Sequence, residues 1–294
     1  MKGPILSIRD LSAVSGLEGG ALILRRVRLD VEPGAALGLV GESGAGKTMI
    51  AKALLGILPR TVRVTEGEIL FEGRNLLKTP KRALRAIFGD QIALIPQDPQ
   101  TALNPGRRIE AQLTDGLRLR RRTPWREARM RGLELLDEVH ISDPERVMRA
   151  FPHELSGGMR QRVLIASAFA LEPKLIVADE PTTALDVTVQ KQILRLIRGM
   201  QKAHGTAVVF VTHDLGVVAQ ICDTLTLLFA GAVIESGPTR ETLSQPRHPY
   251  TRALIEAGPR YDRPEAGLKP IPDAIVSRLR AEIAVMDRGH AGHD

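Results

Sequence analysis

Gly41-Glu42-Ser43-Gly44-Ala45-Gly46-Lys47-Thr48 is the stretch that decides the fold. It reads G-x-x-x-x-G-K-[ST], a phosphate-binding loop, and each residue type in it has a physical task. The glycines let the backbone turn a nest of N–H groups toward phosphate oxygens, and a helix beginning at the loop adds the positive end of its dipole. Lys47 has the reach for the β- and γ-phosphates of a nucleotide, and the Thr48 hydroxyl suits Mg²⁺. The flanks agree. Ala36-Leu37-Gly38-Leu39-Val40 is a short apolar run such as a buried parallel strand makes, and Thr48–Leu58 reads as a helix stopped by Pro59.

Outward from the loop the alternation continues. Gln91–Pro96, Leu175–Ala178 and Ala207–Val211 read as buried strands, and Ser156–Leu171 and Val187–Ala203 as helices. Strands alternating with helices predict an α/β fold with a parallel sheet. Ile5–Ser12, Ala21–Val31 and Gly67–Gly73 look like further strands, and Leu225–Phe229 with Ala232–Glu235 like a closing hairpin. Residues 99–150 are polar, rich in arginine and helical in pattern. Past Pro238 the tail is rich in proline. From Asp273 it predicts an amphipathic helix with Ile275, Val276, Leu279, Ile283 and Met286 on one face, and disorder from Gly289 on.

Composition narrows the class. The 294 residues are 43% hydrophobic but only 3% aromatic, so aliphatic side chains must fill the core. The apolar stretch Thr224–Ile234 falls short of the roughly 20 residues a membrane helix needs. Arg9 and Asp10 precede any apolar stretch, which argues against a secretory signal. The single cysteine, Cys222, excludes an internal disulfide and reads as a buried, inert thiol. The net charge is +7, and Arg118, Arg120, Arg121, Arg122, Arg126, Arg129 and Arg131 crowd one segment with only Glu127 opposing. Either a solvated helical face or a surface toward phospholipid headgroups or an acidic partner fits that cluster. No zinc-finger spacing and no aromatic recognition strand is present, so nucleic acid is not an expected partner.

A nucleotide site built on this loop needs a carboxylate for Mg²⁺, and Asp179 stands at the end of an apolar strand, where one belongs. Glu180 follows and can orient and deprotonate an attacking water. Ser156-Gly157-Gly158 opens a helix and exposes N–H groups, making a second anion site. Gln97, after the strand 91–96, is placed for Mg²⁺ or the water, and His213, after 207–211, for a γ-phosphate.

With these motifs in this order the chain resembles an ATP-binding-cassette (ABC) ATPase over roughly residues 5–240. Residues 41–48 match its Walker A motif, Gln97 its Q-loop, Leu155–Gln161 its signature and Leu175–Glu180 its Walker B. Ala184-Leu185-Asp186 match its D-loop and His213 its switch histidine. Within the family, Ile95–Pro105, Pro152-His153-Glu154-Leu155, Glu180–Gln190 and His248-Pro249-Tyr250-Thr251 resemble the peptide- and nickel-importer branch.

The resemblance implies a P-loop NTPase cassette over residues 1–240, with a parallel core sheet, an N-terminal antiparallel β-subdomain and a helical subdomain at about 99–170, followed by a branch-type extension over 241–294. It implies ATP and Mg²⁺ as cofactors and a head-to-tail pair with a second cassette, the same chain or a sibling. Each ATP would lie between Walker A of one copy, residues Gly41 to Thr48, and Ser156, Gly157 and Gly158 of the other, with Asp186 nearby. Thr48, Gln97 and Asp179 would hold the metal. Glu180 would be the base, His213 would position it, and Gln97 would join the catalytic set. The further implied partners are transmembrane permease subunits and, indirectly, an extracellular or periplasmic substrate-binding protein. The implied location is the cytoplasmic face of a cell membrane.

Two departures stand out. Members of this branch often stack adenine on an N-terminal aromatic, but none precedes Phe71 here. The matching position falls near Ser15, leaving aliphatic groups such as Val14 or Leu17 for the base and predicting weak discrimination against GTP. Many members also carry a tail cysteine cluster resembling an iron–sulfur site, and this tail has no cysteine. The alternative reading is a soluble ABC ATPase acting on nucleic acid or the ribosome. Its expected marks, two fused cassettes, a zinc module or a long coiled-coil insertion, are missing. A degenerate regulatory cassette conflicts with intact Lys47, Asp179, Glu180 and His213.

Overall fold

A computed structural model describes residues 3–16, 20–182, 186–257 and 271–290. The chain divides into two compact units. One takes in the chain up to Thr79 and again from Val209 onward, and the other is Pro80–Val208. Leu17, Ala184 and Leu185, named above for the base and the D-loop, lie outside the described residues.

The first unit begins with β1 (Leu6–Ser15), β2 (Leu22–Val31), β3 (Ala36–Val40), α1 (Lys47–Leu54), β4 (Val62–Phe71) and β5 (Arg74–Asn75). β1 pairs antiparallel with both β2 and β4, as the short N-terminal β-segments lead one to expect. All five residues of β3 are buried, which is why that segment is apolar without alternation.

Helix α1 ends four residues before the expected Leu58, and the reason is a glycine rather than Pro59. Gly56 takes φ 67°, its N–H donates to the Ala53 carbonyl, and the Ile57 N–H donates to Lys52. This is a Schellman stop, which satisfies the last carbonyls before the proline is reached.

The second unit runs through α2 (Lys81–Asp90), β6 (Ile92–Ile95), α3 (Pro99–Ala102), α4 (Ile109–Arg120), α5 (Trp125–Glu138), α6 (Pro144–Arg149), α7 (Gly157–Phe169), β7 (Leu175–Asp179) and α8 (Val187–His204). β6 and β7 pair in parallel, with Ile92 opposite Leu175 and Ile95 opposite Ala178. The arginine-rich segment spends much of its charge internally. Arg120 donates to the Arg85 carbonyl and Arg121 to the Leu171 carbonyl, Arg129 pairs with Glu145, and Arg131 bonds Glu134 and Glu138. Glu127 is thus not the only opposing charge, because the fold supplies acids from α5 itself and from α6. Arg118, Arg122 and Arg126 remain exposed on the surface.

β8 (Ala207–Thr212) carries the chain back, followed by α9 (Leu215–Ile221), β9 (Thr224–Phe229), β10 (Ala232–Pro238), α10 (Thr239–Ser244), α11 (Pro249–Ala257) and α12 (Asp273–His290). β9 runs parallel to β3, with Val40 opposite Leu227, and β9 and β10 form the expected antiparallel hairpin. Strand order in this unit is β5-β4-β1-β2-β10-β9-β3. Cys222 is buried, in line with an inert thiol.

Helix α12 corrects two expectations. It continues through Gly289 and His290, and of its anticipated apolar stripe Leu279 and Ile283 are buried while Met286 is 65% exposed. Asp287 sets the roll of the last turns by forming a two-pronged bridge to Arg25 on β2, at 2.8 and 2.9 Å. Among the described residues no helix is long and apolar enough to cross a membrane.

Candidate functional site

Each unit carries part of the motif set. In the first, the loop 41–46 leaves the buried end of β3 and delivers the chain into α1. Gly41 is required because a Cβ there would collide with the Leu228 carbonyl oxygen on β9 and sit 2.9 Å from the Ala45 methyl. The loop is held from the β9–β10 turn, where the Gly231 N–H donates to the Ala45 carbonyl at 2.9 Å. Gly46 caps α1 in the left-handed region at φ 101°.

No side chain caps α1 and no acidic residue occupies its first turn, so its N-terminal N–H groups and dipole are left for an anion. Lys47 is only 5% exposed. Its ammonium donates to the carbonyls of Gly41 at 2.7 Å and Glu42 at 2.9 Å, curling the side chain over the loop it belongs to. Glu42, Ser43 and Gly44 are exposed, Ala45 is buried, and Thr48 is half-buried. His213 stands exposed in the link after β8. Its neighbour Asp214 caps α9 by accepting from the N–H groups of Gly216 and Val217 at 2.7 and 3.3 Å. Val14 and Ser15, at the end of β1, are half-buried.

In the second unit the β6–β7 register brings Gln97 and Glu180 together. Ile95 faces Ala178, so the residues two further along each parallel strand leave the sheet side by side. Gln97 Nε2 donates to Glu180 Oε2 at 3.3 Å. Asp179 ends β7 half-buried, and Glu180 follows at φ 46°, an uncommon backbone region for a residue with a side chain.

Ser156 caps α7, its hydroxyl accepting from the Met159 N–H at 3.3 Å. Ser156 and Gly157 are exposed and Gly158 half-buried. A Cβ added at Gly157 would meet nothing within 4 Å, and one at Gly158 only Val189 at 3.9 Å, so packing within the chain does not demand glycine at either position. Asp186 caps α8, accepting from Thr188 and Val189 at 3.0 Å each.

Sequence reasoning passes over one residue of this half. Gln161, 1% exposed on α7, donates to the Pro181 carbonyl at 2.8 Å and ties the α7 helix to the residue after Glu180. It lies inside the motif run quoted above, but only the packing reveals its partner.

The donor chemistry suits a hard cation. Thr48 offers a hydroxyl in the first unit, and Asp179 and Gln97 offer a carboxylate and an amide oxygen in the second; oxygen ligands of this kind are those Mg²⁺ takes.

Comparison with known proteins agrees with these features. Residues 24–183 match the family model for the ABC transporter domain, and residues 234–283 match that for the oligopeptide/dipeptide transporter C-terminal region. The chain is 44% identical over 295 residues to the probable D,D-dipeptide transport ATP-binding protein DdpD of Escherichia coli K12, covering 99% of this chain and 90% of that protein. It is 42% identical over 277 residues to the oligopeptide transport ATP-binding protein OppD of Salmonella typhimurium LT2, covering 94% and 82%. Among solved structures, the dimeric post-hydrolysis form of the ATP-binding cassette MJ0796 bound to ADP and Pi superposes with a TM-score of 0.69. That match is at 28% identity and covers 80% of this chain and 99% of that one.

Proposed function

Because this chain belongs to the ABC transporter family of ATP-binding cassettes, we propose that it is the ATP-hydrolysing subunit that powers an importer of peptides or nickel. The observation that carries the peptide branch is the order of two matches along one chain, the ABC domain followed by the oligopeptide/dipeptide C-terminal region. On this reading residues 1–240 form the ATPase domain, with its helical part at about 99–170, and residues 241–294 the branch-type extension.

The residues then take these roles. Gly41 to Thr48 cradle the phosphates, with Lys47 leaving its carbonyl partners for phosphate oxygens. Thr48, Asp179 and Gln97 would hold Mg²⁺, which when bound screens the charge of the β- and γ-phosphates. Glu180 takes the proton of the attacking water, and the 3.3 Å bond from Gln97 orients its carboxylate. His213 positions Glu180 and the γ-phosphate. Base recognition falls to aliphatic groups near Ser15, such as Val14 or Leu17, and discriminates weakly against GTP.

Ser156, Gly157 and Gly158, with Asp186, serve the nucleotide of a second cassette, the same chain or a sibling. The open space at Gly157 supports this, since glycine at an exposed helix start that its own chain does not crowd leaves room for another body to approach. Permease subunits are the membrane partners, a binding protein outside the membrane delivers the substrate, and the subunit works peripherally on the cytoplasmic face. The test is Mg²⁺-dependent ATP hydrolysis by the purified chain together with its recovery in complex with permease subunits. Absence of both would overturn the proposal, and association with ribosomes or nucleic acid in their place would favour the alternative.

A further inference from the structure

We propose that Arg25, on β2, is a positioning residue for the phosphate-binding loop, acting through the turn that joins β9 to β10. This rests on the nucleotide-binding reading of that loop.

The loop is seated on the end of the β9–β10 hairpin. Gly41 fits against the Leu228 carbonyl, where a Cβ would come within 2.4 Å of the oxygen. The Ala45 carbonyl accepts from the Gly231 N–H at 2.9 Å. Gly46 lies on Gly231 itself, whose Cα would be 3.2 Å from a Cβ at position 46. Ala45 and Gly46 lead directly into Lys47 and the start of α1. A shift of the turn therefore carries with it the helix N-terminus and the lysine that the nucleotide reading assigns to the phosphates.

The turn needs help to hold its shape. Phe229 at the end of β9 faces Ala232 at the start of β10, which leaves Ala230 and Gly231 as a two-residue connection. Both have positive φ, 45° and 80°. Hairpin turns of this kind favour asparagine or glycine, and an alanine in that region is disfavoured by its own Cβ. Arg25 supplies the restraint from the neighbouring strand. Its Nη1 donates to the Ala230 carbonyl, and its main-chain N–H donates to the Gly231 carbonyl at 2.8 Å. Nε and Nη2 are taken by Asp287, and the side chain is only 17% exposed. A guanidinium bonded through three nitrogens and shielded from water has little freedom, which suits it to keep one carbonyl in place. The main-chain bond survives substitution at position 25, so a variant there reports on the guanidinium alone.

The test compares MgATP affinity, by titration into the full-length chain, with thermal unfolding in the absence of nucleotide, at a temperature where every variant is folded. Arg25→Met keeps the aliphatic stem and removes the donors, and Arg25→Gln shortens the polar reach. Each is expected to weaken MgATP binding by about threefold to tenfold, the worth of one hydrogen bond relayed to the site. Asp287→Ala breaks the ion pair but leaves the Ala230 contact, so it should lower the unfolding midpoint and keep MgATP affinity within about twofold. Ala230→Asn gives the turn a residue that accepts positive φ unaided, and in that background the Arg25→Met loss should shrink to about twofold or less. Unchanged affinity in both Arg25 variants, a loss in Asp287→Ala as large as theirs, or an undiminished Arg25→Met loss in the Ala230→Asn background overturns this proposal alone. Absence of MgATP binding by the unsubstituted chain overturns the functional reading and this proposal with it.

Discussion

Gln97 donates its side-chain amide to the Glu180 carboxylate at 3.3 Å, although 82 residues separate them in the chain. The contact follows from the parallel register of β6 and β7, and it brings two candidate catalytic groups to one point. Glu180 sits there in a left-handed backbone conformation, braced from beneath by the bond from Gln161 to the Pro181 carbonyl. This arrangement holds a carboxylate in one orientation, as a base needs.

Glu180→Gln keeps the shape and the contact with Gln97 while removing the base. ATP turnover is expected to fall by about a hundredfold or more, with ATP binding retained and a closed, ATP-loaded dimer accumulating. Steady-state ATPase assays and size-exclusion chromatography with ATP check this, and turnover near that of the unsubstituted protein would remove Glu180 from the role of base.

The two anion sites separate by substitution. Lys47→Ala should weaken nucleotide binding by the single chain by about tenfold or more, because a charge-assisted contact to phosphate is lost. Ser156→Arg should leave binding by the monomer intact while abolishing dimer closure and turnover. It also gives up the cap on α7, worth about 1 kcal/mol, so the comparison is made at a temperature where the variant is folded. If Ser156→Arg alone ended nucleotide binding by the monomer, the shared-site arrangement would be refuted.

Helix α12 is held by Arg25–Asp287 and by the burial of Leu279 and Ile283. Asp287→Ala is expected to cost about 1 kcal/mol, a modest figure because both side chains keep some exposure to solvent. Leu279→Ala should cost about 2–5 kcal/mol through lost burial and the cavity left behind. Deletion of residues 265–294 should lower stability or dimer formation and leave nucleotide binding near normal, since the loop Gly41 to Thr48 is retained. Calorimetry with MgATP titration would test this, and loss of binding in a folded truncation would show that α12 helps build the site.

The contact between Glu138 and His204, at 2.8 Å, gives a dependence on pH. Burial alone would raise the Glu138 carboxyl, but the His204 hydrogen bond and Arg131 outweigh it and hold it below the usual carboxylate range. A depressed carboxyl stabilises the fold above its unfolded value and loses that contribution as the pH falls through the folded one. Glu138→Gln should therefore be less stable than the unsubstituted chain by about 1 kcal/mol at pH 7, discounted for a side chain still a third exposed. The gap should close as the pH falls below about 4. A gap that persists in denaturant titrations well below the carboxylate range would contradict the assignment.

The residues Gly41 to Thr48, Asp179 with Glu180, and Ser156 to Gly158 were legible without a structure because their chemistry depends on spacing within a few consecutive positions. A phosphate nest, a strand-end carboxylate and a serine-capped helix start are each made by one short segment. The buried strands β3 and β7 were equally plain, since a strand covered on both faces has no use for polar side chains. Helix α9 escaped notice for the opposite reason: it has only seven residues, too few to leave much apolar period to read.

The α/β class, the phosphate-binding loop and the family are all properties of local pattern, readable along the chain before any fold is known. Which distant residues meet emerges only from the folded chain: Gln97 with Glu180, Gln161 with Pro181, the crowded arginines with acids on α5 and α6, Arg25 with Asp287, and Tyr250 with Phe229. The physical reason is that such pairings are set by strand register and by the roll of each packed helix. Register and roll are fixed when whole elements bury their apolar faces together, and no short window of sequence contains that information.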